Sequence, residues 1–163
     1  EEAGDRGAMA RLRRANIPAQ AWAEAETMDL YRRLGFTPED REARIEAVGI
    51  LAIVLAGVRT DTGGLLGSAL GGAGETRVMH ALRVRRLTAA RDGAETLRGF
   101  REAAALLKGA APVADLARCV LGWLDPATRD RTRARFLFDY HGAGFAAPHE
   151  PTDPTDDATE STP

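Results

Sequence analysis

Between Arg77 and Lys108 the chain sets seven arginines and one lysine against Asp92, Glu95 and Glu102, a local surplus of five positive charges. A surplus of that density points to a polyanionic partner. The whole chain uses 21 arginines and a single lysine, and guanidinium is the planar, weakly hydrated cation that suits phosphate and stacks on bases. Arg11, Arg13 and Arg14 form a second group near the start. Any one of these arginines can equally sit on a solvated helix face or in a surface ion pair worth about 0–1 kcal/mol; the cluster as a whole is better explained by phosphate contact.

Catalytic chemistry has few candidate parts. His80, His141 and His149 are scattered, and Cys119 has no partner at metal-ligand spacing. The glycine-rich stretch Gly63 to Gly74 lacks both the lysine and the preceding strand of a phosphate-binding loop. Asp115 and Asp125 are placed to cap helices, and Asp130 lies among exposed charges, so no carboxylate cluster suggests a metal-dependent nuclease. We expect no enzyme activity, no metal and no cofactor. Trp22 and Trp123 have apolar neighbours in Met28 and Leu121 and read as packing residues rather than base-stacking platforms.

The elements that would carry the arginines read as helices almost throughout, because alternating β-branched runs are absent and cap and stop signals recur at helical lengths. Asp5 is expected to cap a first helix through Asn16, with Met9, Leu12 and Ala15 inward. Pro18 opens a second segment carrying Trp22, Met28, Leu30 and Tyr31, ended by Gly35. Thr37, Pro38 and Glu39 form a cap with proline at the first helical position, launching a helix to about Val58. Its second half is apolar all round and belongs at the centre of the core. Thr60 to Gly64 is expected as a loop, Leu65 to Leu70 as a short helix and Gly71 to Gly74 as a connection. Helix is then predicted from Glu75 to about Arg91, from Gly93 to Lys108, from Val113 to Leu124, and from Asp125 and Pro126 to about Tyr140. The fold class is all-α, a single-domain bundle of about seven helices.

Within these helices, Leu97, Phe100, Ala104 and Leu107 make one apolar stripe, and Arg98, Arg101 and Lys108 border it. Glu95 and Glu102 stand three and four positions from Arg98, which predicts that Arg98 is paired and that Arg101 and Lys108 are the freer cations. The preceding helix shows Val78, Met79, Leu82 and Ala89 on one side and Val84 and Leu87 nearly opposite, the pattern of a helix packed on two sides.

His149 to Pro163 has five acids, no lysine or arginine and three prolines, and is expected to be a disordered acidic tail (residues 147–163) following a helical domain (residues 1–146). Residues 1–148 then hold 22 basic and 19 acidic residues, so the net charge of -2 covers a body of +3. The longest apolar stretch, Ala47 to Val58, is too short to span a bilayer, and Glu1, Glu2 and Asp5 are unlike a secretory signal. A single cysteine fits a reducing compartment. No membrane partner and a cytoplasmic location are expected.

Five segments, in order, carry a resemblance: GDRGAMARLRRA at Gly4 to Ala15, GGLLGSAL at Gly63 to Leu70, RVRRLTAAR at Arg83 to Arg91, LRGF at Leu97 to Phe100, and LARCVLGWLD at Leu116 to Asp125. Together they resemble the CasB family, the small subunit of the type I-E CRISPR effector Cascade, over about Gly4 to Tyr140. The resemblance implies a non-catalytic helical protein present as two copies. Its implied partners are the other Cascade subunits, CRISPR RNA, and target DNA including the displaced single strand, and its implied role is to steady the guide–target hybrid region and that strand. The family's basic surface maps onto Arg13, Arg14, Arg83, Arg86, Arg91, Arg98, Arg101 and Arg118, to which the free-cation reading above adds Lys108. The chain departs from the family at Ser68, where a basic residue is common, and around Val58, where a histidine is often found. The acidic tail lies outside the resemblance and reads either as a solvating extension or as a weak competitor for the basic face.

Two other classes fit the same arginines. One is a helix-turn-helix duplex regulator reading DNA through Glu75 to Arg91 or Pro126 to Tyr140; the long apolar runs and the lack of Asn or Gln on those helices argue against it. The other is a helical adaptor whose arginines meet acidic protein surfaces.

Overall fold

A computed structural model describes residues 2–71 and 76–142. Nine α-helices and one two-residue strand pairing make up these residues: α1 (Glu2–Arg14), α2 (Pro18–Ala21), α3 (Ala25–Arg33), α4 (Arg41–Leu55), β1 (Thr60–Asp61), α5 (Leu66–Gly71), α6 (Ala81–Thr88), α7 (Gly93–Leu106), β2 (Ala110–Ala111), α8 (Val113–Leu124) and α9 (Arg129–His141). The all-α class is as the sequence predicts. The expected tail, 147–163, lies outside the described residues, as does most of the Gly71 to Gly74 connection.

Helix α4 is the central post. From Ala47 to Val54 every residue is buried, including Gly49, so this half-helix touches protein on all sides as its unbroken apolar run requires. Helices α2, α3, α7 and α8 pack around it. Its entry is a 3-10 turn, Pro38–Asp40, in which the Thr37 N–H and hydroxyl donate to Asp40 Oδ2 at 2.8 and 3.1 Å. Below the post, Trp123 meets Phe100 and Phe136 edge-on at 5.2 and 5.5 Å. Its indole N–H donates to the Leu87 carbonyl at 3.2 Å, which joins α8 to the end of α6. Trp123 and Cys119 are both core residues, as expected.

Several local predictions are corrected. Helix α1 begins at Glu2, so Asp5 lies within its first turn and not at its cap. The expected second helix is broken into α2 and α3, because the chain turns at Trp22 to Glu24 and the Thr27 hydroxyl donates to the Ala21 carbonyl at 2.6 Å. Helix α6 is only eight residues long, starting at Ala81 and not near Glu75. Its upstream backbone is taken by other elements: the Met79 N–H donates to the Leu70 carbonyl at 2.9 Å, and the Met79 carbonyl accepts from the Tyr140 hydroxyl at 2.7 Å. His80 then caps α6 through the Leu82 N–H. Nor is α6 packed on two sides: Val84 and Leu87 are buried, whereas Val78 and Leu82 are exposed.

The strand pairing was also unforeseen. β1 and β2 run parallel, Thr60 opposite Ala110 and Asp61 opposite Ala111. Asp61 earns its place by accepting from the Val113 N–H at 3.0 Å, and it thereby caps α8 from a distant loop. Asp115, expected as a cap for its own helix, is in the first turn of α8 and accepts from Leu66 N–H at 2.8 Å, at the start of α5. Asp125, expected to cap the last helix, is instead the C-cap of α8 and accepts from the Ala127 N–H at 2.9 Å, while Thr128 is the N-cap residue of α9.

Candidate nucleic-acid interface

Helix α7 carries cations into two neighbouring grooves. It ends at Lys108 and Gly109, both left-handed at φ 54° and 78°, a conformation that glycine adopts without penalty and that lysine accepts here at the helix exit. The turn tucks against the end of α4: a Cβ on Gly109 would stand 3.1 Å from the Gly57 carbonyl oxygen. The Gly109 carbonyl in turn accepts from the Arg59 N–H at 2.7 Å. Arg59 is thereby brought beside Lys108, although the two are 49 positions apart in the chain.

The result is a groove of about 480 Å³ lined by Arg13, Arg59, Arg101 and Lys108, with Ile53, Val54, Gly57, Ala104, Ala105 and Gly109 as its floor and walls. Among the described residues, no carboxylate lines it. Two of the three guanidinium groups are held by uncharged acceptors: Arg13 Nε donates to the Ala56 carbonyl at 2.5 Å, and Arg101 donates to the Arg13 carbonyl and, at 3.4 Å, to Asn16 Oδ1. A hydrogen bond to a neutral oxygen fixes the position of a cation without cancelling its charge. Among the described residues Arg101 and Lys108 have no carboxylate partner, but Arg101, expected as one of the freer cations, is anchored.

The second groove lies between α6 and α7. Arg83, Arg86 and Arg98 line it with Glu95 and Glu102. Arg83 Nε lies 3.0 Å from Glu102 Oε1, both side chains being substantially exposed. Glu95 is engaged elsewhere, accepting from the Arg91 N–H at 2.7 Å while Asp92 Oδ1 accepts from the Glu95 N–H at 2.8 Å, a reciprocal cap at the start of α7. The predicted pairing of Arg98 therefore does not form: its two candidate acids serve Arg83 and the helix cap. Arg86, Arg91 and Arg98 are exposed, and none has a carboxylate partner among the described residues. Since Arg98 and Arg101 stand one turn apart on α7, the two grooves are neighbours.

Arg14 is exposed at the end of α1 and also has no carboxylate partner among the described residues. Its neighbour Arg11 does: Nε and Nη2 meet the two Glu24 oxygens at 2.6 and 2.8 Å. That contact raises the Arg11 pKa and lowers that of Glu24.

Arg118 stands apart from both grooves, on α8. Its Nη1 is 3.2 Å from Asp115 Oδ1, an oxygen that also accepts from Arg135 Nη2 at 3.1 Å. Arg118 and Arg135 line a third cleft with Arg44, Arg131 and Asp125, and Arg44 lies 3.2 Å from Asp125 Oδ2. Further along α9, Arg133 is turned inward, donating to the Ala90 carbonyl at 2.5 Å with its guanidinium 5.4 Å from the Trp123 ring centre. Burial lowers its pKa, with Arg129 a second cause. A helix that commits Arg133 and Arg135 to the fold is poorly suited to reading duplex bases. Ser68 donates toward the Asp139 carbonyl at 3.4 Å and faces α9.

Sequence reasoning missed Arg59, Arg44, Arg131 and Arg135. Each is isolated from the dense arginine run, and only the packing of distant segments reveals it. The sole signal for Arg59 is that it follows the glycine ending the apolar core helix.

Residues 8–141 match the protein family described as CRISPR-associated protein Cse2. No curated protein and no solved structure matches the chain.

Proposed function

The chain belongs to the family of CRISPR-associated protein Cse2, the CasB small subunit of type I-E Cascade, and from that premise we propose that it holds nucleic acid backbone on the two α7 grooves. Family membership makes it a structural subunit of a CRISPR Cascade complex, in association with other Cascade subunits. The finer reading is that Arg13, Arg14, Arg59, Arg83, Arg86, Arg91, Arg98, Arg101 and Lys108 contact phosphates of the CRISPR RNA–target hybrid region and of the displaced DNA strand, without catalysis. Arg118 is a separate contact point on the α8 side.

The observation that carries this reading is the pair of anchored guanidinium groups, Arg13 and Arg101, with no carboxylate partner and no carboxylate lining their groove among the described residues. A displaced strand offers phosphates and unstacked bases but no regular groove, and a basic surface indifferent to sequence suits it. Ile17, Met28 and Ile45 expose apolar surface around Trp22 on a different part of the molecule, and this surface serves contacts with neighbouring subunits, a second copy included.

The test is the R-loop lifetime of reconstituted Cascade carrying Arg83→Ala, Arg86→Ala and Arg101→Ala together. The lifetime is expected to shorten while the subunit's helical spectrum is retained. An unchanged lifetime rejects the assignment. For the isolated subunit, neutralising about four phosphates gives a slope of log K against log salt of roughly -3 on single strands, and a flat response also counts against it.

A further inference from the structure

The strongest feature left outside the proposed function is the acidic segment beyond the last described residue. His149 to Pro163 contains Glu150, Asp153, Asp156, Asp157 and Glu160 and no lysine or arginine, and it lies beyond the 8–141 family match. The described chain ends at Gly142, two residues after Tyr140, and there the geometry is informative. The Tyr140 hydroxyl donates to the Met79 carbonyl at 2.7 Å, and the Arg77 guanidinium lies 5.3 Å from the Tyr140 ring centre. The end of α9 therefore lies beside the entrance to α6.

Helix α6 begins two residues after Met79 and presents Arg83, Arg85 and Arg86 as exposed side chains. At 1.5 Å per residue, Arg86 lies only about 10 Å along the axis from Met79. Arg85 and Arg86, with Arg91 and Arg98 beyond them, have no carboxylate partner among the described residues, and only Arg83 does. Glu150 is eight residues past Gly142, within an extended reach of about 26 Å, and the remaining acids reach farther. A tethered anion this near its target acts at a high effective concentration.

We propose that the acidic segment 149–163 docks on the arginines of α6, occupying the α6–α7 groove with carboxylates where nucleic acid phosphates bind. The docking stands on charge and position alone; its consequence, competition with a strand, rests on the function proposed above. Nucleic acid, with a denser line of charge, displaces the segment, so weak or short polyanions are excluded more than long ones. The segment thereby screens the groove against adventitious anions before assembly.

The docking is read without nucleic acid. A nitroxide is attached to Ser161→Cys in the full chain; the native Cys119 is buried and its thiol is pushed up to about 12 by burial, so the label goes to the new site. Backbone amide signals of Ala81 to Thr88 are expected to broaden, and to recover when Arg85→Ala and Arg86→Ala are introduced or at about 0.5 M salt. Absent broadening on α6, or broadening that survives both substitutions, overturns the docking. For competition, the chain carrying Glu150→Gln, Asp153→Asn, Asp156→Asn, Asp157→Asn and Glu160→Gln is titrated with an oligothymidylate. Its affinity at low salt is expected to rise by about three- to tenfold, with the gap closing at high salt. Equal affinity at low salt overturns competition while leaving the docking result to stand on its own readout. Loss of strand binding by both chains instead rejects the proposed function.

Discussion

Arg101 on α7 donates to the main-chain carbonyl of Arg13 at the end of α1. One guanidinium therefore both closes the junction of two helices and adds positive charge to the groove they share. Because its acceptors are a peptide oxygen and Asn16 Oδ1, the structural role leaves the charge available.

Arg101→Ala should show both losses together. Removing a charged donor from the Arg13 carbonyl is expected to cost about 1–2 kcal/mol, read as a lower urea midpoint, and single-strand affinity should fall in the same variant. Arg101→Gln separates them: it can retain a donor while losing the charge, so stability should recover more than affinity. Equal recovery of both would contradict the dual role.

Arg86→Ala and Arg98→Ala should behave differently. Neither guanidinium has a carboxylate partner among the described residues, so unfolding free energy should stay within about 0.5 kcal/mol of the parent. R-loop lifetime in reconstituted Cascade should nevertheless shorten. A stability loss well above that range would place these arginines in the fold instead of the interface.

Asp115 is the opposite case. Its side chain is 3% exposed and receives the Leu66 N–H together with Arg118 and Arg135, so Asp115→Ala takes the acceptor from donors on three elements, of which the Leu66 N–H is buried. A loss of about 1–3 kcal/mol is expected, the cost of leaving the buried Leu66 N–H without an acceptor, measured by chemical denaturation. Asp115→Asn keeps an acceptor for Leu66 and should lose less.

Cys119 gives a pH signature. Burial, with Asp115 adding to it, raises its thiol from 9.0 to about 12. Between those values the unfolded chain sheds the proton and the folded chain keeps it; the stability from this group is fully present below pH 9 and lost as pH rises through about 12. Cys119→Ala should flatten the alkaline decline in stability. In the folded parent at pH 8 the thiol should resist a disulfide reagent that titrates it fully in denaturant, and prompt reaction would show the site to be open.

Much of the fold is legible in local sequence. Thr37 and Pro38 mark the entry to the core helix, Asp92 and Gly93 mark the break before α7, and Val113 to Leu124 is helical from end to end. What fails locally is instructive. The long helix expected from Glu75 is shortened because Leu70 and Tyr140, neither of them a neighbour in sequence, claim the backbone of Met79. Likewise Asp115 serves the start of α5 instead of capping its own helix, and Asp61 caps α8 from a distant loop.

The chain's own order of residues determined an all-helical class, a central helix apolar all round in its second half and a surplus of arginine, since helical periodicity and net charge are properties of neighbours. Which arginines remain uncompensated was decided only in three dimensions. Spacing assigned Glu102 to Arg98, yet it meets Arg83 on another helix; no spacing could bring Arg59 to Lys108. Ion pairing falls off within a few ångströms, and distances that short between remote segments are set by how the helices pack.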